Sequence, residues 1–350
     1  GLFLRIGDWN RWIAFAKPPE PNDRGRRVSG MKARAAEEER PRLVVLTGPT
    51  ATGKTDLVIR LAGFFGGEIV SADSMQVYRY LDIGTAKPSR SVREAIPHHL
   101  IDVVDPDEPF SAADFTARAG EIIESLHRSG KVIWVVGGTG LYLRALLGGL
   151  ASLTGADPRV RKRLREEMAR HGLSLLFERL ARVDPESAGR IHKNDAVRIM
   201  RALEVYESSG RTITAQHKEH GFRQRRYRVL SIGLARERKD LFARIDRRVE
   251  EMIREGLVAE TEGLVERGYD ESLKPLQTLT YRPVFRYLRG EGDLPGLAGA
   301  IGRETRLYAK RQETWFKKDR QIEWYSPDDG EGIARRVDAF LRRETNGVRG

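Results

Sequence analysis

Arg42-Leu43-Val44-Val45-Leu46-Thr47, then Gly48-Pro49-Thr50-Ala51-Thr52-Gly53-Lys54-Thr55, then residues 56–65 read as strand, turn and helix in that order. The apolar run predicts a buried strand, and the octet fits G-x-x-x-x-G-K-[ST] at every fixed position. A glycine-rich turn lets consecutive backbone N–H groups point at phosphate oxygens, and the helix behind it adds the positive end of its dipole. Lys54 supplies a cation on a flexible stem, and the Thr55 hydroxyl is the candidate Mg²⁺ ligand. The octet is therefore expected to cradle a di- or triphosphate, in the manner of a nucleotide- or ATP-binding loop. It names neither the phosphate compound nor the reaction.

Outward from this unit, strand and helix signals alternate to about residue 150. Residues 68–72 read as a second strand ending at Asp73, and 100–104 as a weaker third. Residues 111–129 read as a helix, with Ser111 as N-cap, Asp114 three residues on and Gly130 as the stop. Residues 131–136 form a short apolar strand closed by Gly137-Gly138-Thr139-Gly140, and a helix follows from Leu141. Such alternation implies a parallel sheet flanked by helices, an α/β fold with a P-loop NTPase-like core.

Beyond residue 150 the texture changes. Residues 157–182 read as one polar helix with Leu164, Met168, Leu173, Leu176 and Leu180 on helical spacing, and 195–208 as another. Residues 210–227 are basic and turn-rich, and strand signal returns at 227–234. An all-helical insertion is thus expected over 152–226, within a catalytic core made of 41–151 and 227–345. The core's second part carries helices at 239–255, 257–267, 278–288 and 297–318, a last strand at 321–325 and a C-terminal helix. Residues 1–40 read as a disordered or non-native leader: the first thirty are rich in Arg, Pro and Gly, and Met31 looks like a more natural start.

The chain of 350 residues carries a net charge of +12 and no cysteine. The absence of cysteine excludes disulfides, thiolate zinc sites and cysteine nucleophiles. No apolar run reaches the length of a membrane span. Excess positive charge on a phosphate-binding protein points to nucleic acid. Three basic sets carry it: Arg198 and Arg201 near His192 and Lys193; Arg223, Arg225, Arg226 and Arg228 around Tyr227; and Arg303, Arg306, Lys310, Arg311, Lys317 and Lys318 along one helix. His98-His99 makes a poor metal pair, because neighbours in a strand face opposite ways. Asp73 ends a strand at the edge where parallel sheets bind ligands, so Mg²⁺ ligand, general base and helix N-cap are all open to it. The strand before Gly137 ends without an acid, which weakens an ATP-hydrolase reading.

The order of blocks resembles the tRNA dimethylallyltransferase (isopentenyl-tRNA transferase) family, in its bacterial form. The blocks are the phosphate loop; Ser71-Ala72-Asp73-Ser74-Met75-Gln76-Val77-Tyr78; Asp82-Ile83-Gly84-Thr85-Ala86-Lys87-Pro88; Pro97-His98-His99-Leu100-Ile101-Asp102; Phe110-Ser111-Ala112-Ala113-Asp114-Phe115; Val136-Gly137-Gly138-Thr139-Gly140-Leu141-Tyr142; Arg201-Ala202-Leu203-Glu204-Val205-Tyr206; and Ala309-Lys310-Arg311-Gln312-Glu313-Thr314-Trp315-Phe316. The likeness spans about 42–325.

The resemblance implies transfer of a dimethylallyl group from its diphosphate to N6 of the adenine 3′ of the anticodon, in tRNAs reading codons that begin with U. Mg²⁺, dimethylallyl diphosphate and the tRNA anticodon stem-loop are then the expected cofactor and partners. The setting is expected to be cytoplasmic, with no membrane, and the protein a monomer. By the same resemblance Asp73 is the general base, Lys54 and Arg244 clamp the diphosphate, and Thr139 helps hold the target base. RNA contacts fall on Asp73, Ser74, Met75, Gln76, Thr139, Arg161, Val197, Arg198, Ile199, Met200, Arg201, Tyr281 and Arg282, with the insertion gripping the stem-loop. Thr280 stands where the family usually has glycine, and strain follows if that backbone is left-handed. The rivals are an isopentenyltransferase on free adenine nucleotides, a P-loop small-molecule kinase, and a non-catalytic RNA-binding protein with a nucleotide switch.

Overall fold

The computed structural model describes residues 39–150, 157–221 and 226–342. The expected leader lies outside them except for its last two residues, as do Arg223 and Arg225 of the second basic set. In chain order the elements are β1 (Arg42–Thr47), α1 (Lys54–Phe65), β2 (Glu68–Ser71), α2 (Arg90–Ala95), β3 (His98–His99), α3 (Ala112–Arg128), β4 (Ile133–Val136) and α4 (Gly140–Gly148). Next come α5 (Pro158–His171), α6 (Leu173–Val183), α7 (Pro185–Arg190), α8 (Ala196–Ser209) and α9 (Ile213–His220). The chain returns with β5 (Arg228–Leu234), α10 (Arg238–Glu255), α11 (Leu257–Glu266), a 3₁₀ turn (Lys274–Gln277), α12 (Tyr281–Leu288), α13 (Leu294–Phe316), β6 (Ile322–Tyr325) and α14 (Gly330–Arg342). The described residues divide into two compact units: 39–143 with 226–342, and 144–150 with 157–221. The boundary falls inside α4 rather than at residue 152.

In the first unit six strands form one parallel sheet in the order β3-β2-β4-β1-β5-β6. Strands covered on both faces need no polar side, which is why β1 and β4 are continuous apolar runs. Helix α1 packs on β1 and β4, α3 on β2 and β4, and α14 on β5. The Ser111–Asp114 capping box is formed, each side chain taking the other's backbone N–H. A second apolar cluster joins α10 to α13 with the segment around Val77, Leu81 and Val104.

The expected strand at 100–104 does not form. Leu100 and Asp102 hold φ of 62° and 56°, which an extended strand cannot accommodate. Lys87 and Arg93 both pair with Asp102 and turn the chain there. Pairing with β2 comes two residues earlier, Ile69 opposite His98 and Val70 opposite His99.

The second unit is wholly helical among its described residues and has its own core of Leu164, Leu176, Leu180, Ile199, Ala202 and Leu203. The single helix expected over 157–182 is two, because Gly172 takes φ 83° and ends α5. The turn-rich stretch after Gly210 contains α9, capped by Thr212. Buried Asp184 ties α7 to α9: it accepts from Ser187 N at 3.0 Å and from Thr214 N and Oγ1 at 3.2 and 2.8 Å.

Candidate active site at the carboxyl edge of the sheet

Strands β2, β4, β1 and β5 are neighbours and parallel, so the loops leaving their carboxyl ends emerge side by side. These are the Asp73 turn, Gly137–Gly140, the phosphate loop and the segment beginning at Ala235. Close approach dictates the glycines. A Cβ on Gly48, at φ 133°, would lie 2.5 Å from Leu234 O, and one on Gly137 would lie 2.1 Å from Ala72 O. Ala51 is also left-handed, at φ 62°, a strain that the loop's function must tolerate.

The loop is held from several sides. Thr52 Oγ1 donates to Pro49 O at 2.9 Å. Lys54 Nζ donates to Gly48 O at 2.9 Å and Pro49 O at 2.6 Å, folded back over its own loop. Burial, with the Arg248 guanidinium beside it, brings the Lys54 ammonium down to about 7 against an upward pull from Asp73. Arg244 Nε donates to Ala51 O at 3.0 Å, Arg236 Nε to Thr52 O at 3.2 Å, and Arg248 Nη1 to Thr50 Oγ1 at 3.2 Å. Arg236 and Arg248 join the loop in addition to the residues the sequence motifs mark. Arg248 sits one turn after Arg244 on α10, a spacing that could have flagged it; Arg236 follows β5, which only the strand order makes a neighbour of β1.

Asp73 is half-buried, and its Oδ1 accepts from Met75 N at 2.8 Å and Gln76 N at 3.4 Å. The carboxylate therefore caps a turn through Oδ1, and Oδ2 makes no hydrogen bond among the described residues. Thr139 joins this turn: its Oγ1 accepts from Ser74 N at 3.0 Å and donates to Ser74 Oγ at 3.3 Å. Lys54, Thr139, Arg244 and the Asp73 turn thus share one edge. Gln76 is committed internally, its Nε2 donating to Thr85 O and Ala86 O at 3.3 Å each, and Met75 packs half-buried on the second apolar cluster. From α13, Tyr308 faces the same edge; burial and the Asp73 carboxylate push its phenol up.

Tyr281 is a correction. It is 0% exposed, and its hydroxyl donates to Glu260 Oε1 at 2.8 Å. Glu260 also accepts from the backbone N–H of Asp82, Ile83 and Gly84 at 2.9, 2.7 and 3.0 Å. The Tyr281 side chain therefore fixes the 82–87 loop and is closed to direct RNA contact. Thr280 has φ −96°, so its backbone is not left-handed and the condition for strain is not met. Arg282 is exposed and paired with Glu304.

The remaining candidates belong to the second unit. Val197 is 74% exposed and the Arg198 side chain 65%. Ile199 is buried in the core, a second correction, and Met200 packs against it. Arg161 and Arg201 both reach buried Glu204, at 3.1 Å each.

For Mg²⁺ the available donors are hard oxygens, the Thr55 hydroxyl and the Asp73 carboxylate. No cluster of three or more His, Cys, Asp or Glu suited to a metal exists among the described residues. An ion held by one or two protein oxygens has its shell completed by substrate phosphates and water. No helix of the described residues is long and apolar enough to cross a membrane.

Comparison with known proteins gives a consistent result. The family model described as IPP transferase matches residues 76–319. The tRNA dimethylallyltransferase 2 of Geotalea uraniireducens (strain Rf4) is 52% identical over 287 residues, covering 82% of this chain and 93% of that protein. The tRNA dimethylallyltransferase of Geobacter sulfurreducens is 48% identical over 283 residues, covering 81% and 91%. Among solved structures, the tRNA isopentenylpyrophosphate transferase of Bacillus halodurans superposes with a TM-score of 0.64 at 36% identity, covering 87% of this chain and 98% of that one. A eukaryotic dimethylallyltransferase acting on tRNA gives 0.73 at 26% identity, covering 88% and 80%.

Proposed function

The chain belongs to the IPP transferase family, and on that premise we propose that it prenylates tRNA, moving a dimethylallyl group from its diphosphate to N6 of the adenine 3′ of the anticodon. The bond from the allylic carbon to the diphosphate oxygen breaks, and its electron pair leaves with the diphosphate. The adenine nitrogen forms the new carbon–nitrogen bond and loses a proton to the Asp73 carboxylate. The observation that carries this reading is the convergence, on one sheet edge, of a phosphate loop with the Asp73 turn and Thr139.

Lys54, Arg244 and Arg248 lie where they can neutralise charge that builds on the leaving group. With Thr55 as its protein ligand, Mg²⁺ would add to that neutralisation and leave the Asp73 carboxylate to take the proton. An exocyclic amine is a weak nucleophile, so holding donor and acceptor in line contributes more than the strength of the base. The target base must leave the anticodon stack to reach such an edge. A monomer in the cytoplasm is part of the same reading.

The test is to incubate the protein with Mg²⁺, dimethylallyl diphosphate and tRNA from a strain lacking this modification. Digestion and mass spectrometry should then yield N6-dimethylallyladenosine, dependent on both tRNA and donor. ATP consumption without that product would assign the loop to a kinase, and product from free adenine nucleotide alone would assign the enzyme to the other prenylating class.

A further inference from the structure

The two glycine loops of the site are tied together by one side chain from a distant part of the sequence. Gln312, on α13, is 6% exposed. Its Oε1 accepts from Thr50 N, in the phosphate loop, at 2.8 Å. Its Nε2 donates to Gly138 O, in the loop after β4, at 2.9 Å. An amide is the side chain that can do both, because it carries an acceptor and a donor on one rigid plane.

The surroundings are shaped for this contact. A Cβ on Gly138 would lie 2.3 Å from Gln312 Nε2, so only glycine lets the amide reach the carbonyl. The neighbours of Gln312 on the same helix face also serve the two loops. Trp315 lies against Gly140, where a Cβ would meet its Nε1 at 2.1 Å. Tyr308, one turn earlier, interacts with Gln312 itself and senses Asp73. Positions 308, 312 and 315 follow the i, i+4, i+7 spacing of one helical stripe. This stripe crosses both loops.

We propose that Gln312 is a positioning residue for the transfer reaction, a two-ended clasp that sets the separation between the phosphate loop, which holds the donor, and the Thr139 loop, which holds the acceptor. The inference rests on the prenyl-transfer reading given above. It assigns Gln312 no contact with substrate and no proton to move. Each substrate binds mainly to its own loop, so loss of the clasp leaves the two binding steps nearly intact. It spoils the alignment between them, to which in-line transfer is most sensitive.

Two variants separate the halves of the clasp. Gln312→Leu removes both hydrogen bonds. Gln312→Glu keeps the acceptor for Thr50 N and loses the donor for Gly138 O. Steady-state kinetics with dimethylallyl diphosphate and tRNA should show kcat falling about 100-fold in Gln312→Leu, with both KM values within about 3-fold of wild type. Gln312→Glu should fall between Gln312→Leu and wild type. Hydrogen exchange on the free protein supplies a readout that needs no activity. The Thr50 amide should lose protection in Gln312→Leu and keep it in Gln312→Glu. Exchange at Thr50 unchanged in Gln312→Leu overturns the clasp. So does a variant that exchanges faster throughout the chain, because Gln312 is then merely structural. A rise in KM with kcat preserved overturns the positioning role. If wild type itself makes no prenylated product, the functional reading fails instead, and the exchange experiment still decides whether the two loops are joined.

Discussion

At the residue scale, the proposed reaction gives Asp73 a second job besides holding its turn, and one substitution can separate the two. Its Oδ1 holds the turn by accepting from Met75 N and Gln76 N, so Asp73→Ala would disturb both geometry and charge. Asp73→Asn retains an oxygen for the turn and removes the proton acceptor. Turnover should fall by about 10²- to 10⁴-fold while tRNA affinity stays within about 2-fold. Equal losses in affinity and turnover would leave Asp73 as a turn residue only. Lys54 offers a pH test. Its folded pKa of about 7 lies below its unfolded value of 10.5. Below pH 7 the ammonium is charged in both states, and its burial counts fully against folding. Between the two values the unfolded chain binds the extra proton, so this group's contribution to stability rises with pH. Lys54→Met should therefore gain more in urea midpoint over wild type at pH 6 than at pH 9. An advantage independent of pH would mean that Lys54 is not desolvated.

The element scale separates what local pattern dictates from what the chain borrows from afar. The octet 48–55, the capped helix after Ser111 and the four glycine-loop residues at 137–140 were legible because their signals are local. The third strand lies elsewhere, since Leu100 and Asp102 are left-handed and Asp102 answers to Lys87 and Arg93 rather than to its neighbours. Arg236, Arg248 and Gln312 were missed for the same kind of reason: only strand order and the α13 face bring them to the phosphate loop. The motif that points Tyr281 towards RNA serves a buried structural purpose instead. That purpose is testable through Glu260, whose carboxylate collects three backbone N–H groups and the Tyr281 hydroxyl. Glu260→Ala strands these donors and should destabilise the fold by about 2–3 kcal/mol, since hydrogen bonds to a charged group are worth more than neutral ones. Tyr281→Phe removes only one of the four and should cost about 1 kcal/mol. Denaturant unfolding of both variants checks the order, and a larger loss in Tyr281→Phe than in Glu260→Ala would contradict it.

At the scale of the whole molecule, the net charge of +12 is uninformative until it is known which cations are free. Many are spent inside the protein. Arg161 and Arg201 share Glu204, Arg163 and Arg179 share Glu207, and Arg282 faces Glu304. Arg198 is different. Among the described residues its acidic partner is Asp195 alone, at 3.4 Å, and its side chain is 65% exposed beside the exposed Val197. Cations that neutralise RNA phosphates release counterions, so tRNA affinity should fall linearly with salt on logarithmic axes, by about 0.7 in slope per phosphate for single-stranded contacts. Arg198→Ala should therefore lower that slope by roughly 0.7 to 0.9 and leave the unfolding midpoint unchanged. Arg201→Ala should act the other way, lowering stability because Glu204 loses a buried partner, with a smaller change in slope. Salt titrations of tRNA binding, paired with unfolding curves for the two variants, decide it. The same slope for wild type and Arg198→Ala would move the RNA contact away from the start of α8.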